Sequence, residues 1–329
     1  MNQRRKLLFA ASACALGVAL PSWSTAQVAI TFPSKPIRII IPYAPGGTTD
    51  IVGRRMGQRL SEVLGQPVVI DNRTGANTVI GAETVARSAA DGHTLLFTND
   101  ATFVLNPVLF PTLSYNVQRD FVPVASVTYV ALALVVNGNT PANDMKELVA
   151  YAKSRNDLGY ASFGAGSQPH LMGEMFKKLT GADLVHVPYK GAGPAVVDVM
   201  GGQVLFTFPA FPTIQGHIAS GKLKVLAVSG DKRVALSPNV PTFTEAGFKD
   251  MDIGAWYGFL APTGTSSSVV ATLNEAVNTI LADRDFVEKN MTNQGMVPMA
   301  STPEQMGELI KRETVRMAAI VKKSGAKVE

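Results

Sequence analysis

From residue 37 to residue 228 the chain alternates short, unbroken apolar runs with amphipathic stretches, and this rhythm restricts the possible folds more than any motif does. The runs occupy 37–41, 67–70, 94–98, 131–136, 159–162, 184–187, 204–208 and 223–228. They are continuous rather than alternating in polarity, as in strands buried on both faces. Between them a helical period falls on 49–64, 79–89, 143–154, 169–180, 194–200 and 213–220. Strand and helix in turn predict an α/β protein whose parallel sheets are covered on both sides. After Ala261 the pattern turns helical, and Met306, Leu309, Ile310, Met317, Ile320 and Val321 recur on one face. Extended crossings at 120–130 and 226–233 divide the chain into one lobe of 27–126 plus 229–329 and a second of 127–228. Two lobes joined by two such segments form a hinge with a cleft between them.

The first residues, "MNQRRKLLFAASACALGVALPSWSTA", read as a signal peptide over 1–26 rather than as part of the fold. Arg4, Arg5 and Lys6 precede an apolar stretch from Leu7 to Leu20, and small residues stand at Ser24 and Ala26. The stretch falls short of the ~20 residues a membrane span needs, so the expected location is periplasmic. The Arg4–Arg5 pair leaves both the general and the twin-arginine export routes open. Cys14 is the single cysteine and lies in this leader, with Ala11 where a lipoprotein signal wants an aliphatic residue. The exported chain then has no thiol for a disulfide, a zinc site or a nucleophile. The formal net charge is +5, partly from the leader, and no basic stripe suggests a nucleic-acid partner. A monomer without cofactor or metal is expected.

Two glycine loops carry the candidate chemistry. "YAPGGTTD" (Tyr43, Ala44, Pro45, Gly46, Gly47, Thr48, Thr49, Asp50) follows the first apolar run and opens the first helix. Free amides at such a helix start, with two glycines allowing close approach, form an anion site without a cationic side chain. Thr48 and Thr49 add hydroxyls that donate to a carboxylate or cap the helix. Asp50 either repels a bound anion or holds a water against it. "YASFGAGSQPH" repeats the device in the second lobe, with Gly166, Ser167, Gln168 and His170 at the turn and Pro169 as a first helical residue. Loops at the carboxyl ends of parallel strands form the ligand crevice. Thr98, Asn99 and Asp100 leave a third strand end towards it or form a plain turn, and in "FTFPAFP" Phe208 and Phe211, with Pro209 between them, offer a floor for a flat or apolar ligand or are simply core.

Competing chemistries fit less well. There is no G-x-x-x-x-G-K-[ST], and "GAGSQP" and "GAGPAV" both fail G-x-G-x-x-G at its last position. No H-E-x-x-H or G-x-S-x-G occurs, so the enzyme alternative reduces to a secreted hydrolase built on Ser167 and His170. An organic anion bound without turnover is the simpler expectation.

The runs "FPSKPIRIIIPYAPGGTTDIVGR", "VVIDNRTGANTVIGAETVARSAADGHTLL", "VHVPYKGAGPAVVDVMGGQV", "GKLKVLAVSGDKR" and "PTFTEAGF" resemble, in order, the solute receptors of the tripartite tricarboxylate transporter type, the Bordetella uptake gene family. The resemblance implies a periplasmic binding protein type II fold closing like a Venus flytrap. It also implies a carboxylate gripped between the stretch from Tyr43 to Asp50 and Gly166, Ser167, Gln168 and His170. Delivery would be to a two-subunit membrane permease, with signalling to a membrane sensor as the alternative. Many relatives carry an aspartate near the end of the strand that here reads "VLFTFPA", where it can meet a ligand ammonium. Leu205, Thr207, Phe208 and Pro209 stand there instead, favouring a carboxylate with an apolar or aromatic body, or a dicarboxylate, over an amino acid. Asp100, on the neighbouring loop, keeps an acid within reach.

Overall fold

The computed structural model describes residues 32–326, so the signal-peptide reading lies outside the described residues. β1 (Ile37–Ile41), β2 (Val68–Asn72) and β3 (Thr94–Asn99) lie parallel with β1 between the other two. α1 (Thr48–Leu64) and α2 (Val79–Ala86) make the crossovers. Past β3 the chain winds through a π-helical turn (Ala101–Leu105), α3 (Asn106–Leu109) and α4 (Val117–Asp120) into β4 (Phe121–Val130).

Two residues later the chain is in another sheet. This is built from β5 (Ala133–Asn137), α5 (Met145–Lys153), β6 (Gly159–Ser162), α6 (Gln168–Thr180), β7 (Val185–Pro188), α7 (Ala192–Met200), β8 (Phe206–Thr207), α8 (Phe211–Ala219) and β9 (Leu223–Val228). The chain then returns to the first sheet with β10 (Ala255–Pro262), α9 (Ser267–Ala282), α10 (Arg284–Asn290), β11 (Met296–Pro298) and α11 (Pro303–Ser324). The sheet orders are β11-β4-β10-β3-β1-β2 and β7-β6-β8-β5-β9. Residues 32–326 pack within one compact unit.

Two expectations need correction. Both sheets are mixed rather than parallel: β10 runs antiparallel to β3 and β4, and β5 runs antiparallel to β8 and β9. A continuous apolar run signals burial on both faces but carries no strand direction. β10 itself, "AWYGFLAP", is buried at every residue and sits between β3 and β4, although its pattern did not mark it as a strand. The lobe boundary placed at 126/127 also falls inside β4, which remains in the first sheet to Val130.

Candidate functional site

The first glycine loop is held by its own acid. Gly46 takes φ +87°, and α1 begins directly after Gly47. Asp50 accepts from the Gly46 N–H (3.1 Å) and from Asn72 Nδ2 (3.0 Å), and pairs with Arg54 at 2.9 Å. Burial pushes its carboxyl up, but Arg54, Gly46 and Asn72 outweigh that and hold it below the ordinary range. Asp50 therefore stitches the turn together from behind and does not line the cavity described below.

The second loop is built in the same style from different parts. Gly164 and Gly166 take φ +131° and +88°. Ser167 Oγ donates to Gly164 O (2.7 Å) and accepts from the Phe163 N–H (3.2 Å). His170 Nδ1 accepts from the Gly166 N–H at 3.0 Å. The His170 ring stacks on His186 with centroids 4.0 Å apart, and His186 Nε2 meets Ser162 Oγ at 2.6 Å. Ser167 and His170 thus each fasten the loop and make no bond to one another, which removes the pairing that the hydrolase alternative required.

The stacked imidazoles give the loop an acid limit. Burial lowers both, His186 to about 4, where His170 adds to the lowering; in both, Lys177 lowers and Glu174 opposes. A histidine held neutral in the fold but ionising near 6.5 when unfolded contributes stability that is complete above 6.5 and is lost as pH falls towards its folded value. For His186 the loss amounts to about 2 kcal/mol after allowance for its partial exposure. Denaturant titrations at pH 7 and 4.5 should show His186→Gln losing correspondingly less stability than the wild type; equal losses would rule the pair out as the cause.

Tyr43, Gly47, Thr48, Thr49 and Asn99 from the first lobe and Phe163, Gln168, Pro169, Ala192 and Ala210 from the second line one partly enclosed cavity, with Leu132, Ala255 and Tyr257 beside the crossings. Its free space is about 20 Å³, room for little more than one water. Four helices begin at it: Thr48 and Gln168 open α1 and α6, Ala192 opens α7, and Ala210 immediately precedes α8. No side chain caps any of the four. Of the helices that start elsewhere, α4, α5, α9, α10 and α11 are capped by Asn116, Asp144, Ser266, Asp283 and Thr302, and α2 and α3 have no side-chain cap. The amides left free at the cavity, together with the dipoles behind them, favour an anion, and no Lys or Arg lines the space.

The lobes meet around this point. The Ala44 N–H donates to Lys190 O (2.8 Å), Thr48 Oγ1 lies 2.9 Å from Thr213 Oγ1, and Gln168 Nε2 donates to Asp100 Oδ1 (2.5 Å). Asn99 Oδ1 accepts from the Tyr43 hydroxyl at 2.8 Å.

Among the sequence candidates, Tyr43, Gly47, Thr48, Thr49, Asn99 and Gln168 line the cavity. Ala44, Gly46, Asp50, Gly166, Ser167 and His170 shape the loops behind it. Thr98 is buried against Thr102 (2.6 Å between hydroxyl oxygens), and Asp100 sits below Gln168. Phe208 is not a floor: it is fully buried, with its ring centroid 5.4 Å from Phe206 and 6.2 Å from Phe243. Pro209 O accepts from the Ala133 N–H, and the cavity wall falls to Ala210. The loop opening α7 is a weak candidate in the sequence, as a failed G-x-G-x-x-G and through Lys190, whereas the structure brings Ala192 and not Lys190 to the cavity; its "GAGP" after a strand is the same signal as "PGGT". Tyr257 gave no local signal.

A family model for the tripartite tricarboxylate transporter family receptor matches residues 52–326. The chain belongs to that receptor family. BugT of Bordetella pertussis is 38% identical over the whole of both chains. The R. palustris protein Rpa4515, solved with adipate, shares 32% identity at a TM-score of 0.86, covering 90% of this chain and all of that one. MatC from Rhodopseudomonas palustris, solved with bound malate, shares 33% identity at a TM-score of 0.82 over 88% of this chain and all of that one. The receptor therefore has the periplasmic binding protein type II fold, two α/β lobes joined by a two-segment hinge, and its relatives are binding and transport proteins rather than enzymes.

Proposed function

We propose that this receptor is exported to the periplasm, closes its two lobes on a small organic carboxylate and hands it to a two-subunit membrane permease. The convergence of four uncapped helix starts on one cavity without a cation carries the reading. Each charge-assisted bond contributes roughly 1.5–3 kcal/mol, and a few together reach the ~8 kcal/mol of micromolar binding. The candidate residues divide accordingly. Backbone amides of Gly47, Thr48, Gln168 and Ala192 meet the anion, Thr48, Thr49 and Asn99 supply polar side chains, and Tyr43, Phe163 and Tyr257 face its body. Adipate and malate in the two neighbours point to a dicarboxylate or a carboxylate with an apolar body. A cavity this small admits such a ligand only when the lobes part, so capture proceeds by opening and reclosure.

A thermal-shift panel on refolded protein tests the reading, with mono-, di- and tricarboxylates, aromatic carboxylates, acidic amino acids and phosphate. One carboxylate class should raise stability by about 2.7 kcal/mol at one hundred times its dissociation constant, with the ligand recovered intact. Gly47→Val should abolish the shift, because even the first carbon of its side chain would stand 3.3 Å from the Ala192 Cβ. Stabilisation by phosphate or amino acids alone would overturn the carboxylate assignment.

A further inference from the structure

Asp100 follows β3 and is 1% exposed. Its Oδ1 accepts from Gln168 Nε2 at 2.5 Å and from the Trp256 N–H at 3.4 Å. Gln168 is the first residue of α6 in the second lobe, whereas Trp256 lies on β10 in the first. A first-lobe carboxyl thus reaches across the cleft and holds the opening residue of a helix that faces the ligand cavity. Oδ2 meets no donor, and Asp100 takes part in no ion pair among the described residues. The charges that face it come from α11, where Glu313 and Arg316 act in opposite senses and are paired with each other at 2.8 Å. Tyr43, Tyr129 and Tyr257 complete the surroundings, each held above the ordinary tyrosine value and so uncharged at neutral pH.

An ionised carboxylate in this position would be a buried charge with one oxygen unmatched, an arrangement proteins avoid by taking up a proton. The neutral acid is the less costly form: Oδ1 is the carbonyl oxygen accepting two N–H groups, and an unmatched hydroxyl at Oδ2 carries no buried charge. We propose that Asp100 is a positioning residue that binds one proton as the lobes close and, in that form, fixes Gln168 at the ligand site, so that ligand capture and proton uptake occur together. The inference rests on the receptor reading above. When the lobes part, water reaches Asp100 and its carboxyl ionises, and on closing Oδ2 takes a proton from solvent.

The direction follows from linkage. Burial holds the closed-form carboxyl up at about 8, against an ordinary value of about 3.9 for an exposed aspartate. A proton therefore favours the closed form, and between those two values affinity should rise about tenfold for each unit that pH falls. A ligand carboxylate in the adjoining cavity pushes in the same direction.

The decisive test needs no ligand. A Cβ built at Gly47 stands 3.3 Å from the Ala192 Cβ, close to the roughly 3.5–4.5 Å of a disulfide, so Gly47→Cys with Ala192→Cys should lock the lobes together. In protein labelled with carbon-13 at aspartate carboxyls, the locked form should show one carboxyl titrating near 8, absent in Asp100→Asn. On reduction it should return to the ordinary range. No such resonance in the locked form, or one unmoved by reduction, overturns the proposal, whichever carboxylate the site takes. Calorimetry gives an independent reading: adipate or malate binding at pH 7, in two buffers of unlike ionisation enthalpy, should take up about one proton. Asp100→Asn keeps an acceptor for Gln168 and should remove that uptake; uptake that persists in Asp100→Asn would equally overturn the proposal.

Discussion

Gly193→Ala should leave the protein folded and weaken carboxylate binding about ten- to a hundredfold. Gly193 lies in the first turn of α7, and a Cβ there would stand 2.6 Å from the Pro45 carbonyl oxygen and 3.5 Å from the Gly46 carbonyl carbon. Both atoms are backbone of the first-lobe glycine loop, so no side-chain rotation relieves the clash. The simplest relief is to move the lobes apart, which leaves the packing within each lobe untouched. Overpacking of this kind costs about 1–3 kcal/mol, and each 1.4 kcal/mol is a factor of ten in the closing equilibrium. Calorimetry with the carboxylate identified by thermal shift would measure the loss, and small-angle scattering would show a receptor that stays expanded in its presence. Gly216→Ala in α8 is the control, since nothing lies within 4 Å of its built Cβ. Unchanged affinity in Gly193→Ala would mean that the Pro45–Gly193 approach is not part of the binding-competent state.

The largest loss of stability is expected from Gly173→Ala in α6. A Cβ there would fall 2.0–2.4 Å from three ring atoms of Tyr160. That ring is fully buried, lies nearly parallel to Phe206 (centroids 5.7 Å apart) and to His186 (5.2 Å), and its hydroxyl donates to Glu174 Oε1 at 2.7 Å. A ring held on both faces and at its tip cannot swing aside, so α6 must lift from β6. The expected loss is about 3 kcal/mol, at the upper end for one added carbon in a packed core. Urea unfolding should show the midpoint falling with the slope unchanged. A loss below about 1 kcal/mol would show that α6 shifts more freely than its packing implies. Because β6 and α6 carry the second glycine loop, ligand affinity should fall along with stability.

Much of this architecture is legible in local pattern. The runs at 37–41, 159–162 and 223–228 match β1, β6 and β9, and the loops "PGGT" and "GSQP" each open a helix where a glycine turn after a strand predicts one. These features are local because burial on both faces, a left-handed turn and a helix start each depend on a few adjacent residues. The family resemblance was equally plain, carried by segments spread from Phe32 to Phe248.

Strand direction, partnership and facing were decided elsewhere. β10 is antiparallel between β3 and β4 because the chain re-enters the first sheet after a long excursion, and no run of eight residues encodes that return. Phe208 looked like a ligand floor from its aromatic neighbours, yet Phe206 and Phe243 enclose it. Asp50 and Asp100 are both acids beside candidate loops. Arg54, Asn72 and the Gly46 amide hold one ionised, while burial with no ion pair among the described residues pushes the other towards the neutral acid, against the N–H groups of Gln168 from the other lobe and of Trp256 that it accepts from. The sequence by itself determined the lobes' building blocks and the glycine loops that open their helices. Only the tertiary structure decided which helix starts converge on one cavity and which acid keeps its charge, because desolvation and contacts across the cleft depend on residues far apart in the chain.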